Sequence, residues 1–432
     1  MIALADVLAS VLDHCVVRAG VEVRSQDAAG LVLAGDIVSP EDVPPFDNTA
    51  VDGYAVRTID VATAPVELRV TAEIAAGSPD IVGVGAGEAV RIMTGAPIPP
   101  ECDGVVMVED TERVGSDGVR VLRAMAPGSG IRPVGSDVRA GETVLVAGTI
   151  VTPAVAGVLA TVNARTVRVH PRVRVGVLST GDELVDDGSP LARGQIRESN
   201  RTMLVRLARE AGAEPVDMGI VGDDPDVMEK VLRRALDSGA VDALVTSGGV
   251  SMGDFDPVKL VLPRLAEMSW HQIAMKPAKP FAFGVAAGPT GAVVPIFGLP
   301  GNPVSSLVSF EVIARPALRT MMGFGAAAHR PVVHALLDED VVRSPDGKVH
   351  IDRAVSVWGD DGRVHVRRAR AQGSHQLAAT ATANCLVRIP DGAGLPAGSE
   401  VDVTFLGPDA GPLADPGGSS GAADTGRGRL SP

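Results

Sequence analysis

The stretch VRVGVLSTGDEL, residues 173–184, decides the fold class of this chain. Its first half is the apolar run of a buried β-strand, and its second half is a turn built around Gly181. A helix is predicted next, near Ser199–Ala211, because apolar side chains recur there at helical spacing and Gly212 follows as a C-cap. A strand that leads directly into a helix of this length is typical of a parallel sheet covered by helices.

A second helix and a second strand repeat this pattern. Asp224 is a favourable N-cap and Pro225 suits the first helical position, while Gly239 marks the helix end. The run Asp242–Thr246 is then a strand that ends in Ser-Gly-Gly. We therefore predict a doubly wound, mostly parallel α/β sheet domain over residues 171–328.

The remaining residues differ in character from this domain. Residues 42–139 consist of short β-type runs broken by Gly, Pro and Asp, which predicts a compact β-rich domain. Residues 140–170 lack a core of their own, so we expect them to pack on the N-terminal segment, which opens with an amphipathic helix. Residues 329–407 predict a small β-domain. Residues 408–432 have two Leu as their large apolar residues, which predicts a disordered tail.

Charge and composition exclude several classes of protein. The formal net charge is −14, from 39 basic and 53 acidic residues, which argues against a protein that binds a nucleic-acid backbone. No apolar window approaches the ~18 residues that span a bilayer, and Asp6 and Asp13 do not fit a signal peptide. We therefore expect a cytoplasmic protein without membrane attachment. Its three widely spaced cysteines predict buried, unreactive thiols.

The polar motifs of the α/β domain follow its strands. Ser179, Thr180, Asp182 and Glu183 come directly after the first strand, and a glycine-rich turn follows the second. In open α/β sheets, ligands bind at the carboxyl ends of the strands. This second turn predicts a phosphate cradle with acids beyond it that suit Mg²⁺; its candidate residues are Ser247, Gly248, Gly249, Ser251, Gly253, Asp254 and Asp256.

Two further segments of the same domain favour an anionic ligand. Lys276 and Lys279 lie on a Pro-stiffened segment, and pre-organised cations suit an oxyanion or a phosphoryl group. The turn Leu299–Val304 leads a strand into a helix start, where anions also bind. Each motif alone fits a rigid turn without a ligand equally well. Together, at one sheet edge, they predict a site for a Mg–nucleotide or a phosphorylated ligand.

The β-rich domain contains two more motifs. Pro44–Val56 carries Asp47 and Asp52 around a turn, and Ala89–Pro99 carries Thr94 at a strand-to-loop corner. Both also fit local turn structure without a ligand. No His lies near a Ser or Cys in a recognisable nucleophile elbow, which argues against a hydrolase triad.

These segments, in this order, resemble the molybdopterin molybdenumtransferase family, which is related to the E domain of gephyrin. The resemblance extends from about Val7 to Leu406. It implies a discontinuous linker domain (1–41 and 140–170), an inserted β-rich domain (42–139), the α/β domain (171–328) and a C-terminal β-barrel-like domain (329–407). It also implies an elongated homodimer with an active cleft between the α/β domain of one subunit and the inserted domain of the other.

The implied reaction places molybdenum on the dithiolene of molybdopterin. Its substrates are adenylylated molybdopterin and molybdate, Mg²⁺ is the cofactor, and AMP is released. The resemblance implies catalytic positions at Asp52, Asp137, Glu183, Lys276 and Lys279, and Mg²⁺ positions at Glu183, Asp223 and Asp256. It implies ligand-binding positions at Thr94, Ser247, Gly248, Gly249, Ser251, Gly253, Pro300, Gly301, Pro303 and Arg353, the last of these for molybdate.

The chain departs from the family pattern at three places. The residue before Asp137 is Ser136, and Ala278 replaces a glycine between the two lysines. An upstream lysine is replaced by Gln272 or His271. We expect these changes to affect anion affinity and catalytic efficiency more than the fold.

Two other functions stay open at this point. The first is a nucleotide-processing enzyme similar to the molybdopterin adenylyltransferases or to CinA-like proteins, which share the glycine-rich turn but lack a domain like 42–139. The second is a gephyrin-like scaffold with a vestigial site, which the acids and lysines of the cleft motifs disfavour. The expected partners are a molybdopterin adenylyltransferase and proteins of molybdoenzyme maturation.

Overall fold

The computed structural model of the chain describes residues 1–79, 82–250, 257–407 and 413–414. Its contacts divide it into two compact units, Gly20–Val169 and Met1–Ala19 with His170–Pro432. Each unit has its own hydrophobic cores, and each is described by itself below.

The first unit is built mainly from short strands. Its helix α2 spans Pro153–Thr161 and starts at Thr152, whose side chain accepts a hydrogen bond from the Val155 N–H. Its strands are β1 Val21–Arg24, β2 Val32–Leu33, β3 Ile37–Val38, β4 Asn48–Thr49, β5 Gly53–Val56, β6 Val66–Ile74, β7 Glu88–Ile92, β8 Gly104–Met107, β9 Thr111–Val114, β10 Gly118–Val121, β11 Ile131–Arg132, β12 Thr143–Leu145 and β13 Thr166–His170.

Two groups of strands organise this unit. Six strands form one sheet in the order β8-β5-β7-β6-β10-β9, with a hydrophobic cluster on each face. Strand β13 pairs between β1 and β2, and β12 pairs with β3. Residues 140–170 therefore pack on the N-terminal strands, as predicted, and share a core around Leu33 and Leu159.

The second unit contains the α/β sheet and a closed C-terminal sheet. Its helices are α1 Leu4–Leu12, α3 Asn200–Glu210, α4 Pro225–Asp237, α5 Pro257–Leu265, α6 Pro303–Ser309, α7 Arg315–Met321 and α8 Leu377–Thr380. Its strands are β14 Arg174–Thr180, β15 Leu184–Val185, β16 Ile196–Arg197, β17 Glu214–Val221, β18 Ala243–Ser247, β19 Ala266–Gln272, β20 Met275–Lys276, β21 Pro280–Ala287, β22 Val293–Leu299, β23 Val332–Leu337, β24 Val341–Val342, β25 Val349–Trp358, β26 Val364–Arg368, β27 Cys385–Ile389, β28 Gly394–Leu395, β29 Glu400–Phe405 and β30 Leu413–Ala414.

The α/β sheet has the order β17-β14-β18-β22-β21-β19. Its first four strands pair in parallel, which confirms the predicted sheet. Strands β21 and β19 extend the sheet by antiparallel pairing, β21 with β22 and β19 with β21. The connection between β21 and β22 is too short for a parallel crossover. Helices α4 and α5 share one core with the sheet, and α3 packs against α6.

The predicted start of α4 is confirmed in detail. The Asp224 carboxylate accepts hydrogen bonds from the backbone N–H groups of Asp226 and Val227, at 2.9 and 3.2 Å. These bonds satisfy two of the amides that a helix N-terminus leaves without intrahelical partners.

The C-terminal residues form the predicted small barrel. Strands β25, β26, β23, β29 and β27 pair in sequence, and β27 pairs back to β25, which closes the ring. Within the tail predicted to be disordered, residues 413–414 form a short strand parallel to β25. The rest of 408–432 lies outside the described residues.

Helix α1 lies with the α/β unit rather than with the linker segments. Val7 and Val11 are buried, Ile2 bridges to Ile273, and Arg18 forms an ion pair with Asp242. The apolar stripe of α1 is thus covered by the second unit, which the amphipathic pattern alone did not indicate.

All three cysteines are buried and free. Burial raises the pKa of each thiol, Cys15, Cys102 and Cys385, to about 12. The prediction of buried thiols is confirmed, and the raised pKa values disfavour the thiolate, which is the reactive form. Among the described residues, no helix has both the length and the hydropathy needed to cross a bilayer.

Candidate functional site

The three parallel strands at the centre of the α/β sheet end side by side. Ser179 of β14 lies opposite Ser247 of β18, and Ser247 lies opposite Leu299 of β22. The turns that follow these strands are therefore neighbours at one edge of the sheet, as the sequence predicts.

A cavity of about 720 Å³ opens between these turns. Its lining includes seven of the predicted site residues, namely Glu183, Asp223, Ser247, Gly248, Gly249, Gly301 and Pro303. Further lining residues that the sequence analysis did not assign to the site include Glu198, Asn200 and His375. Ser251, Gly253, Asp254 and Asp256 lie outside the described residues.

The glycine turn after β18 requires glycine for a steric reason. Gly248 has a φ of +104°, and a Cβ atom there would lie 2.7 Å from the Thr180 Oγ1 atom and 3.0 Å from the Thr180 carbonyl oxygen. The Gly248 N–H donates to the Leu299 carbonyl at 3.1 Å. This amide therefore holds the turn against the neighbouring strand instead of facing a ligand, which refines the predicted cradle.

Pro300 contributes through its backbone and is not among the lining residues of the cavity. Its carbonyl oxygen accepts a hydrogen bond from the Ser306 hydroxyl at 2.7 Å. The Ser306 and Ser247 hydroxyl oxygens are 3.0 Å apart, and both side chains are buried. The turns after β18 and β22 are thus joined by a chain of hydroxyl groups.

Asn200, at the start of α3, joins a third element to these turns. Its amide nitrogen donates to the Ser247 hydroxyl at 2.9 Å and to the Gly301 carbonyl at 2.7 Å. Its Oδ1 atom is buried without a hydrogen-bond partner among the described residues. Asn200 falls within the predicted helix Ser199–Ala211, and nothing in the sequence signals its contacts with distant turns.

Glu198 is the most deeply buried acid of the cavity lining, with a side chain that is 1% exposed. Its carboxylate accepts hydrogen bonds from the Ser179 hydroxyl at 2.9 Å and from the Arg201 N–H at 2.6 Å. It therefore links the end of β14 to the first turn of α3. Sequence reasoning missed it because the turn between β16 and α3 carries no recognisable motif.

The acids of the cavity supply oxygen donors. Glu183 and Asp223 both line it, and the Asp223 N–H donates to the Asp182 carboxylate at 3.0 Å. Within the described ranges, no group of three or more His, Cys, Asp or Glu side chains is arranged to hold a metal ion. Two carboxylates suit a cation that keeps several waters or substrate oxygens, as Mg²⁺ does.

Lys276 and Lys279 lie on the turn between β20 and β21. Strand β21 runs antiparallel to β22, so this turn lies at the same sheet edge as the ends of the parallel strands. Both lysines are exposed, and neither forms an ion pair within the described part of the chain. They do not line the cavity itself.

Ala278, between the two lysines, adopts a backbone conformation that favours glycine. Its φ is +71°, and its side chain is only 3% exposed. The Ile273 N–H donates to the Lys279 carbonyl at 2.7 Å and closes the turn around it. The expectation that alanine removes backbone freedom here is consistent with this left-handed conformation.

The structure shows the surroundings of Arg353, which the family resemblance implies to hold molybdate. Arg353 is fully buried, and its guanidinium donates to the carbonyl oxygens of Ala371, Gln372 and Gly373 at 2.9–3.2 Å. Its Nη donors thus bind backbone, whereas Nε is buried without a hydrogen-bond partner in the described part of the chain. Arg353 fixes the loop that continues to His375, a residue of the cavity lining.

Two of the three predicted residues of the first unit lie together. The Asp52 carboxylate accepts hydrogen bonds from the Thr94 N–H at 2.7 Å and from the Thr94 hydroxyl at 2.8 Å. These bonds hold the pKa of Asp52 below its ordinary value. Asp137 is exposed on a separate turn, where its N–H donates to the Val43 carbonyl.

Three family models match consecutive parts of this chain. Residues 2–163 match the MoeA N-terminal region (domain I and II), residues 176–320 match a probable molybdopterin binding domain, and residues 339–406 match the MoeA C-terminal region (domain IV). The fold and the cavity at its sheet edge thus define a protein of the molybdopterin-binding class.

Individual relatives match over most of their length. Molybdopterin molybdenumtransferase 2 of Mycobacterium tuberculosis is 43% identical over 84% of this chain and 89% of the relative. The molybdopterin molybdenumtransferase of Haemophilus influenzae is 36% identical over 84% and 87%. A crystal structure of the molybdopterin biosynthesis protein MoeA from Pyrococcus horikoshii superposes with a TM-score of 0.76, at 31% identity, over 94% of this chain and 100% of that one. The chain belongs to the molybdopterin molybdenumtransferase family.

Replacing Asn200 tests the connection between the three turns. Asn200→Ala removes two hydrogen bonds, one of them to the buried Ser247 hydroxyl, so the free energy of unfolding should fall by about 1–3 kcal/mol. Asn200→Asp keeps the shape but offers no donor, and we expect a loss at least as large. Denaturant titration measures both, and an Asp variant as stable as the parent would contradict the role of the amide donor.

Substitutions at Ala278 test its left-handed conformation. A β-branched side chain suits neither this φ nor a buried position, so Ala278→Val should lower the free energy of unfolding by about 2 kcal/mol or more. Ala278→Gly should change it by less than about 1 kcal/mol, because relief of backbone strain offsets the lost burial of a methyl group. Denaturant titration compares both with Ala287→Val, a control at an exposed strand position. Equal effects of valine at 278 and 287 would contradict this reasoning.

The contact between Thr94 and Asp52 predicts a measurable change in titration. Thr94→Val removes the hydroxyl donor, so the pKa of Asp52 should rise toward its ordinary value, while Thr94→Ser should leave it low. Because the folded-state pKa is lowered, the stability that Asp52 contributes is present above the unfolded pKa and is lost as the pH falls through the folded pKa. Carboxyl-resolved NMR titration reports the pKa, and an unchanged value in the valine variant would rule out a contribution of the hydroxyl.

Proposed function

We propose that this chain inserts molybdenum into molybdopterin, with adenylylated molybdopterin and molybdate as substrates and AMP as a product. The observation that carries the proposal is the cavity at the carboxyl edge of β14, β18 and β22, where a glycine turn, hydroxyl groups and two acids meet. The names of the relatives support the same chemistry.

The ligands of this reaction are anions, whereas the chain carries a net charge of −14. Binding must therefore rely on local positive charge. Lys276 and Lys279 are exposed cations at the sheet edge, without acidic partners in the described ranges, and we assign them to the phosphate or molybdate oxygens. Ser247 and Gly249 lie at the cavity wall and are assigned to the pyrophosphate side.

Mg²⁺ fits the donor set of the cavity, because Glu183 and Asp223 offer the oxygen ligands that this hard cation prefers. Both residues would hold it, and Asp256, which lies outside the described residues, is retained as a third proposed ligand. When bound, Mg²⁺ would neutralise charge that develops on the departing AMP phosphate. The buried carboxylate of Glu198 keeps the Ser179 hydroxyl in place beside these acids.

The proposal includes a homodimer in which Asp52, Thr94 and Asp137 of one copy complete the cavity of the other. Asp52 is exposed and would act as a carboxylate, and its contact with Thr94 lowers its pKa. A molybdopterin adenylyltransferase would supply the adenylylated substrate, and proteins of molybdoenzyme maturation would receive the product. We place this chemistry in the cytoplasm.

The nucleotide-processing alternative is disfavoured by the match of residues 2–163 to the N-terminal region of the family. The scaffold alternative predicts binding without turnover. Release of AMP without consumption of ATP separates the proposed reaction from an adenylyltransferase, and any turnover separates it from a scaffold.

The test uses the full-length chain with adenylylated molybdopterin, molybdate and Mg²⁺, and chromatography of released AMP. Glu183→Gln and Asp223→Asn should each lower the rate at least about 10-fold and raise the Mg²⁺ concentration needed for half-maximal rate. Asp187→Asn, an exposed acid that does not line the cavity, is the matched control. Absence of AMP release by the unmodified chain would reject the proposal, and unchanged Mg²⁺ dependence in both variants would reject the assignment of the metal.

A further inference from the structure

A second, smaller hollow of about 250 Å³ lies in the unit 20–169. It opens on one face of the six-stranded sheet, where Tyr54 of β5 lies opposite Arg91 of β7, and Arg91 lies opposite Glu73 of β6. Residues directly opposite each other on neighbouring strands project from the same face. The turn 115–118 between β9 and β10 forms another wall of the hollow.

Tyr54 carries an unpartnered hydroxyl at this hollow. The residue is 4% exposed and packs in a hydrophobic cluster, so its ring is held in place. Its hydroxyl has no hydrogen-bond partner among the residues that the structure describes, and it is not one of their buried unpartnered atoms, so it is open to the solvent that fills the hollow. The one polar atom of this side chain therefore remains available to a ligand.

Two arginines line the same hollow without acidic partners. Arg91 is half-buried and Arg113 is exposed at the rim, and neither forms an ion pair within the described ranges. Other arginines of this sheet are paired, since Arg69 contacts Glu88 and Arg120 contacts Glu67. Both guanidinium groups thus have hydrogen-bond donors available at the hollow, and such donors bind carboxylates well.

Carboxylates of the hollow balance this charge. Glu73 and Asp117 both line it, and Glu73 forms no ion pair in the described part of the chain. The Asp117 carboxylate accepts a hydrogen bond from the Ser116 hydroxyl at 3.3 Å, while its carbonyl accepts one from the Val70 N–H at 2.6 Å and holds the turn. The lining therefore presents two positive and two negative groups, with hydroxyls of Tyr54, Thr71 and Ser116 among them.

We propose that this hollow binds a small zwitterion of the amino-acid class. Its carboxylate would contact Arg91, Arg113 and the Tyr54 hydroxyl, and its ammonium group would contact Glu73 and Asp117. A simple anion would be repelled by the two acids and a simple cation by the two arginines, whereas a zwitterion satisfies both signs. The volume is below the about 300–1,000 Å³ of pockets for drug-sized ligands, which favours a ligand smaller than a nucleotide. This site is independent of the proposed molybdenum chemistry.

Calorimetric titration of the full-length chain tests this proposal. Each of the twenty common L-amino acids is titrated in turn, with inorganic phosphate, acetate and methylamine as probes of one charge sign. We expect at least one amino acid to bind, with an affinity at least tenfold above that of every single-sign probe. Binding of none of the twenty, or equal binding of phosphate or acetate, would overturn the proposal.

Two variants locate the binding. Arg113→Gln removes an exposed cation outside the core and should weaken binding at least about tenfold, and Tyr54→Phe removes one hydroxyl and should weaken it about three- to tenfold. Arg123→Gln, at an exposed arginine of the same unit that does not line the hollow, is the matched control and should leave the affinity unchanged. Full affinity in both test variants would place the ligand elsewhere and overturn the assignment, whether or not molybdenum insertion is intact.

Discussion

The parallel pairing of β14, β18 and β22 is the constraint on which the candidate site depends. It brings the ends of three strands that are far apart in sequence to one edge of the sheet. The close approach of Gly248 to Thr180 then sets the spacing of two of these turns, because no other residue has room there. The cavity forms where the carboxyl ends of β14, β18 and β22 lie side by side. Gly248, which has no side chain, leaves room for the turn after β18 to approach Thr180.

Hydrogen bonds between buried polar groups hold this arrangement together. Asn200, Ser247 and Ser306 join the start of α3 to the turns after β18 and β22, and Glu198 joins α3 to the end of β14. Such groups are costly to bury unless they are paired, so the network favours one arrangement of the turns over alternatives. Arg353 holds the loop that leads to His375 through hydrogen bonds to its carbonyl oxygens. The polar residues around the cavity thus divide into those that can meet a ligand and those that hold the others in place.

The cationic side chains of this acidic protein differ in whether they form ion pairs. Several arginines of the described residues are neutralised by nearby acids, as Arg174 is by Asp242 and Arg330 is by Glu311. Lys276 and Lys279 at the sheet edge, and Arg91 and Arg113 in the first unit, form no ion pair in the described ranges. A cation without an acidic partner that lies at or near a cavity can contact an anionic group of a ligand.

Sequence alone determined the parallel sheet, the helix start at Asp224, the buried thiols, the small C-terminal β-domain and the strand-end position of six of the seven cavity residues, because periodicity, caps and turn chemistry are local properties. The closed barrel and the site position of Asp223 were implied only by the family resemblance. It did not reveal Glu198, Asn200 or the buried position of Arg353, because these depend on which distant carbonyls and hydroxyls lie within about 3 Å. Nor did it indicate that Tyr54, Arg91 and Glu73 share one face, since strand register across β5, β7 and β6 is set by tertiary pairing. The sequence specifies which side chains are present at each site. The tertiary structure decides which of them are hydrogen-bonded to other residues and which can bind a ligand.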